Sequence, residues 1–254
     1  MDFKLKNVTL MVFTDIDGTF IDNDVFCEGQ NFEIAKKLVY ENHILAFNSS
    51  KTFEEIKYMQ KKSQTFFPFI CETGGGIYYT NSLYKESNKK RDGYSIMFES
   101  RKIEEFRDEI KNEISINFND DLDFFEDFNE TEKSTLSGLS GIDLELASKR
   151  DFSILIRWKS NMNKYKKFES TLSKYNLNIV KGGRFSHICG NHNKGKAVTY
   201  FLNQLGTFRS NEKFISVGIG DSTNDLDMLE KVDYACIVKS KNNADLIEIH
   251  NRPS

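Results

Sequence analysis

The sequence predicts an α/β fold, a Rossmann-like parallel sheet core interrupted by an inserted α+β domain. Three observations carry this expectation. The first third of the chain alternates apolar strand-like runs with helix-spaced segments. Charged, mixed elements replace that pattern after about residue 84, and it returns after about residue 188. A β-α-β-α-β order implies a parallel sheet with right-handed crossovers. Residues 1–84 and 189–254 are therefore assigned to one core, and residues 85–188 to the insertion.

Residues 8–14, VTLMVFT, form a continuous apolar and β-branched run, the pattern of a strand buried on both faces. Residues 31–42 have helical spacing, with Phe32, Ala35, Leu38 and Val39 on one side, and ILAF at 44–47 reads as a second strand. A helix starts near Thr52, where Thr52 and Glu55 fit a capping box. Residues 67–72 give a third strand, and TGGGIYY at 73–79 a Gly-rich turn into a short one. In the insertion, KESNKKRDG (85–93) reads as a polar linker. It is followed by a helix over 101–115, an acidic stretch, and a helix over 139–150. A strand over 152–158, a helix over 162–174 and two strand-like pieces, LNIVKG and RFSHICG, complete it. The core pattern then resumes with a helix from Lys194, a buried strand over 213–220, a helix over 224–232 and a last strand over 234–239.

A chain of 254 residues can bury a sizeable core. Hydrophobic residues at 39% and charged residues at 29% suit a soluble globular protein. The net charge of −3 supplies no basic field for nucleic acid or an anionic membrane, so neither partner is expected. Basic runs at 88–91 and 163–167 read as solvated faces. Cys27, Cys71, Cys189 and Cys236 make no CxxC pair, and reduced, mostly buried thiols are expected. The N-terminus lacks the features of a signal peptide, and no apolar segment is long enough to span a bilayer. The expected location is cytoplasmic.

Open α/β sheets bind ligands at the carboxyl ends of their strands, and four polar clusters fall at or near such ends. Asp15 and Asp17 follow the first strand, and Asn48-Ser49-Ser50-Lys51 the second. Gly220 to Asp225 follow the strand over 213–220, and Lys194 opens a helix after the insertion. Singly, each has a structural reading: a turn at Asp17-Gly18, caps at Ser49, Ser50 and Thr52, and an N-cap at Asp221-Ser222. Together they fit phosphoryl transfer, which needs a cation, donors for the equatorial oxygens and an in-line nucleophile. Asp15 can attack phosphorus as a carboxylate. Asp17 can act first as general acid and then as base for water. Gly18 permits the turn that brings both to one ligand. Mg²⁺ prefers oxygen ligands, and Asp15, Asp17 through its carbonyl, and Asp221 suit it. Ser49, with Ser50 beside it, offers a hydroxyl, and Lys194 a point charge; Asp225 can hold Lys194 or a metal-bound water.

DIDGT, SSK, NKGKA and GDSTND match, in order, the four motifs of the haloacid dehalogenase-like phosphatase superfamily, and the insertion resembles the cap of its Cof-type branch. The resemblance implies Asp15 as nucleophile, Asp17 as acid/base, Ser49 and Lys194 as phosphate ligands and Asp221 as metal ligand, with Ser50 and Asn224 beside the phosphate. NSSKTFEEI, PFICETGGGIY, KGGRFSHICGNHNKGKAV and GIGDSTNDLDMLEKVD are similar to the mannosyl-3-phosphoglycerate phosphatases. That narrower resemblance implies a phosphorylated sugar or glycosyl-phosphoglycerate substrate. Arg150, Arg184 and His187 become cap candidates for its anionic leaving group, with ion-pair and packing roles as their structural alternatives. Gly182-Gly183 either admits a ligand or makes a plain turn. Thr73 stands where such sequences usually have Asn, and Ile154-Leu155 where they usually carry Glu-Pro. A general sugar-phosphate phosphatase, a phosphomutase of the superfamily and an inactive binding module are the alternatives.

Overall fold

The computed structural model describes residues 8–21, 29–80, 87–182 and 184–238. Cys27 and Gly183 lie outside these residues. Strand β1 (Val8–Thr14), helix α1 (Gln30–Tyr40), β2 (Ile44–Asn48), α2 (Phe53–Ser63) and β3 (Phe69–Cys71) alternate as expected. Thr52 caps α2, and the reciprocal bonds with Glu55 form the predicted capping box. Beyond the insertion come α7 (Lys194–Phe208), β11 (Lys213–Gly220), the short α8 (Leu226–Leu229) and β12 (Tyr234–Ile237).

These strands build one eight-stranded sheet that also takes in β4 (Gly76–Tyr79), β5 (Lys90–Arg91) and β6 (Tyr94–Glu99). Its order is β12-β11-β1-β2-β3-β4-β6-β5. The pairs from β12 to β3 are parallel, and those from β3 to β5 antiparallel. The two halves of the core meet at the centre, where β1 pairs with β11 from Val8↔Lys213 to Thr14↔Ile219. Alternation along β2 shows why the strands are apolar throughout. Leu45 and Phe47 pack with Phe32, Ala35, Phe53 and Ile56 of α1 and α2. Ile44 and Ala46 face Val198, Phe201 and Leu205 of α7 on the other side.

The insertion carries a separate antiparallel cap sheet made of β7 (Leu122–Phe124), β8 (Ser153–Trp158), β9 (Asn178–Lys181) and β10 (Ser186–Cys189). Its order is β7-β8-β10-β9. Ile110 and Ile114 of α3 (Arg107–Asn117) and Phe168 and Leu172 of α6 (Met162–Lys174) join Ile156 and Ile188 in its core. Two shorter helices, α4 (Glu130–Ser137) and α5 (Gly141–Ser148), complete it.

Several local expectations differ from what is found. Part of the stretch read as a polar linker forms β5, and with β6 it extends the core sheet at its edge. Its charges are tolerated because an edge strand exposes one side to water. The acidic stretch, to which the sequence assigns no element, contains β7 and the start of α4. The helix expected over 224–232 shrinks to a 3₁₀ turn at Thr223–Asp225 and the four residues of α8. Cys71 and Cys189 are buried free thiols, whereas Cys236 on β12 is exposed. Among the described residues no helix is long and apolar enough to cross a membrane.

Candidate active site

Asp15 follows β1 directly, and its N–H extends the ladder by donating to the Ile219 carbonyl at 2.9 Å. The chain then folds into a tight turn, with Ile21 N–H bonded to the Ile16 carbonyl at 2.8 Å and Gly18 N–H to the Ile21 carbonyl at 2.9 Å. Ile16, Phe20 and Ile21 anchor the turn in the core. Gly18 has φ +79, and a Cβ there would lie 2.7 Å from Asp221 Oδ2. Glycine is therefore required both for the backbone and for the approach of the two loops.

The loop after β11 brings Asp221 and Asp225 to the same place. Thr19 Oγ1 donates to Asp221 Oδ1 at 2.8 Å, which gives the turn hydroxyl a role in holding that carboxylate. Asp225 is fully buried, and its Oδ2 accepts from Asp221 N–H, Ser222 N–H and Ser222 Oγ at 3.0–3.1 Å. Ser222 Oγ also bonds Asn224 Oδ1. Asn193 caps α7 by accepting from Lys196 N–H at 2.7 Å, so the next residue, Lys194, points into the sheet edge. A buried ammonium in the first turn of a helix is unfavourable with respect to the macrodipole. It is stabilised here by Asp15 Oδ1 at 2.7 Å and Asp225 Oδ1 at 2.5 Å.

Carboxylate oxygens of Asp15, Asp221 and Asp225 lie within 4.8 Å of one another. The Asp17 carboxylate is outside this group and pairs with Lys51 at 3.0 Å; Lys51 also reaches Glu55 at 3.4 Å. Ser49 is buried, and its Oγ accepts from Lys51 N–H at 3.3 Å. A cavity of about 670 Å³ joins these loops to the cap. Asp15, Asp17, Ser50, Lys51, Asp221 and Asn224 border it from the core. Arg150, Arg184, His187 and the α4–α5 connection at Ser137–Ser140 border it from the cap.

The haloacid dehalogenase-like hydrolase family matches this chain over residues 12–247. The chain belongs to that family. Within it, the chain is similar in sequence to phosphatases. It is 29% identical over 238 residues to a glucosyl-3-phosphoglycerate/mannosyl-3-phosphoglycerate phosphatase of Persephonella marina, covering 90% of this chain and 84% of the relative. A mannosyl-3-phosphoglycerate phosphatase of Pyrococcus horikoshii is 28% identical over 240 residues, covering 91% and 90%. The fold also matches a haloacid dehalogenase-like hydrolase from Bacteroides thetaiotaomicron, with a TM-score of 0.60 and 16% identity over 96% of this chain and 99% of the other. This haloacid dehalogenase-like hydrolase is thus a phosphatase at the level of its family.

Electrostatics set the demands of its site. Burial pushes the Asp15 carboxyl up to about 7, with the Lys194 charge opposing and Asp225 reinforcing the rise. Burial likewise raises Asp221, against the bond from Thr19. Burial acts to lower Lys194, but Asp15 and Asp225 outweigh it and hold the ammonium above its ordinary range. Three carboxylates against one lysine leave surplus negative charge, and an all-oxygen donor set fits a hard divalent cation.

All the core residues singled out in the sequence gather at this edge, except that Ser49, Lys194 and Asp225 sit buried next to the cavity rather than bordering it. The SSK motif does not by itself announce the Lys51–Asp17 pair, which joins the loops after two different strands. No motif in the sequence marks Glu72. The only signal was the glycine run after it, which marks close approach of another chain segment.

Proposed function

We propose that this hydrolase is a Mg²⁺-dependent phosphomonoesterase acting through an aspartyl-phosphate on Asp15, with mannosyl-3-phosphoglycerate or its glucosyl analogue as substrate. The observation that carries this reading is the shared cavity. The nucleophile candidate and the cap cations Arg150 and Arg184 border the same 670 Å³ space. Among the described residues Arg184 has no hydrogen-bond or ion-pair partner, so its guanidinium is available to an anion. A glycosyl-phosphoglycerate presents a carboxylate close to its phosphate, and the relatives named above act on such compounds.

Asp15 Oδ1 is held by Lys194, which leaves Oδ2 to attack phosphorus. The P–O bond to the glycerate breaks as the Oδ2–P bond forms. Asp17 gives its proton to the departing oxygen and later takes one from the water that attacks the acyl phosphate. Lys194 stays between Asp15 and Asp225, and Ser49, Ser50 and Asn224 supply donors for the phosphoryl oxygens. Lys51 holds Asp17 in place through its 3.0 Å contact. Asp15, Asp221 and the Asp17 carbonyl would hold Mg²⁺. When bound, it supplies the positive charge that keeps Asp15 ionised and offsets charge on the phosphoryl group. Asp225, with both oxygens engaged, is better placed to support Lys194 and the Asp221 loop than to bind the ion. We place the cap between about residues 100 and 190, since β6 ends at Glu99 and β10 at Cys189.

A phosphate-release screen with Mg²⁺ over glycosyl-3-phosphoglycerates, hexose phosphates and sucrose phosphate tests the substrate. The glycosyl-3-phosphoglycerates are expected to exceed hexose phosphates by at least roughly tenfold in kcat/KM. Comparable values would reduce the reading to a general sugar-phosphate phosphatase. Turnover that requires a bisphosphate activator would point to a phosphomutase.

A further inference from the structure

Glu72 is a fully buried carboxylate that takes no part in the chemistry at Asp15. It follows β3 in the left-handed region, at φ 45, and Thr73 at φ 59 and Gly74 at φ 102 continue that conformation. Residues with a Cβ avoid this region, so the turn persists because its surroundings fix it. Glu72 N–H donates to the Lys51 carbonyl and Thr73 N–H to the Ser49 carbonyl, at 2.8 and 2.9 Å. The turn is therefore built onto the phosphate-binding loop.

Its side chain reaches into the cap. Oε1 accepts from Asp151 N–H at 2.7 Å, and Oε2 accepts from Phe152 N–H at 3.1 Å and Ser153 Oγ at 2.7 Å. Arg150 Nε lies 3.5 Å from Oε2. Gly75 and Gly76 make room for the same segment. A Cβ on Gly75 would stand 2.6 Å from Phe152 Cβ, and one on Gly76 3.0 Å from Phe152 Cε2. Arg150 is thereby held on three sides. Nε also donates to Ser153 Oγ at 3.0 Å, and Nη2 donates to the Ser50 carbonyl at 2.9 Å and lies 3.5 Å from His187 Nδ1. Nη1 has no protein partner among the described residues, on a side chain that borders the cavity.

We propose that Glu72 is the positioning residue for Arg150, aiming its free Nη1 at the leaving group and so setting which phosphomonoesters the cap accepts. This rests on the reading of Arg150 as part of leaving-group recognition. A neutral side chain at 72 could accept some of the same backbone bonds. Only a carboxylate both accepts all three and fixes the guanidinium by charge.

The test is a double-mutant cycle with Glu72→Gln, Glu72→Asp, Arg150→Met and the combined variants, measuring kcat and KM for mannosyl-3-phosphoglycerate and glucose 6-phosphate. Glu72→Gln is expected to raise KM for mannosyl-3-phosphoglycerate by roughly tenfold or more, with a much smaller change in kcat. Arg150→Met should give a loss of similar size, and Glu72→Gln with Arg150→Met should be no worse than either alone. Glu72→Asp, which keeps the charge, should recover part of the loss. Additive losses overturn the proposal, as do equal losses in kcat on both substrates without recovery in Glu72→Asp. If Glu72→Gln does not fold, Glu72→Asp with Arg150→Met completes the same cycle. If the wild-type protein prefers glucose 6-phosphate, the substrate reading fails, and the coupling of Glu72 to Arg150 is judged on that compound by the same outcomes.

Discussion

Lys194 donates to Asp15 across 2.7 Å, although 179 residues and the whole cap separate them in the chain. The bond closes the site only because β1 and β11 are neighbours in the sheet, which brings the second half of the core back beside the first. Asp225 completes the arrangement from the next loop at 2.5 Å. The site is thus a product of topology, with each of its loops rooted in a different strand.

Replacing Lys194 by Met leaves Asp15 and Asp225 buried without their cation. Loss of one partner of a buried pair costs about 3–5 kcal/mol. Removal of a phosphoryl-stabilising charge lowers kcat by about 10²-fold or more. Urea denaturation and phosphate release on Lys194→Met are expected to show both effects. Unchanged stability would contradict the burial described here.

Gly18→Ala places a Cβ in a left-handed backbone position and 2.7 Å from Asp221 Oδ2. The Asp221 carboxylate must move, so the Mg²⁺ concentration for half-maximal activity should rise by about tenfold or more. The backbone conformation alone costs about 1–2 kcal/mol. A fall in stability with an unchanged Mg²⁺ requirement would separate Asp221 from metal binding.

Lys51→Met frees Asp17 from its 3.0 Å partner. Misplacing a catalytic group by about 1 Å can cost ~10²-fold in rate, so kcat should fall by about tenfold to 10²-fold. Lys51→Arg, which keeps the charge, should lose less. Rapid kinetics with Mg²⁺ at saturation would measure both.

His192 bonds Ser100 Oγ at 2.7 Å where the chain enters and leaves the cap, and burial lowers its pKa from 6.5 to about 4. Between those values the unfolded chain binds more protons than the folded one, so stability rises with pH. The contribution is complete above about pH 6.5 and is lost as pH falls toward 4, amounting to at most about 3 kcal/mol. The drop in urea midpoint from neutral pH to about pH 5 should be smaller in His192→Asn than in the wild-type protein.

How much was legible in the sequence follows from how local each signal is. The strand over 8–14 is legible to the residue, since a central strand needs apolar side chains on both faces. That Asp15, Asp17, Lys194 and Asp221 come to one edge of the sheet is legible because tight turns and strand ends leave short, ordered motifs. β5 falls inside the stretch that reads as a polar linker because edge strands tolerate charge, and its pairing with β6 leaves no local signal there. The helical segment expected over 224–232 starts as expected, with Asp225 accepting from Ser222 N–H in a capping box, but it is a 3₁₀ turn followed by only the four residues of α8. Glu72 was invisible for the same reason that it matters. Its partners lie 79 to 81 residues away, and no spacing rule links them.

The most direct test of the central claim is acid quenching during turnover of Asp17→Asn, followed by peptide mapping. With p-nitrophenyl phosphate, whose leaving group needs little protonation, the first step should proceed while water attack is slowed. Phosphate is then expected in covalent linkage on the peptide that carries Asp15, and it should be missing when Asp15→Asn is added. Phosphate on any other residue, or continued phosphatase turnover by Asp15→Asn, would contradict the account.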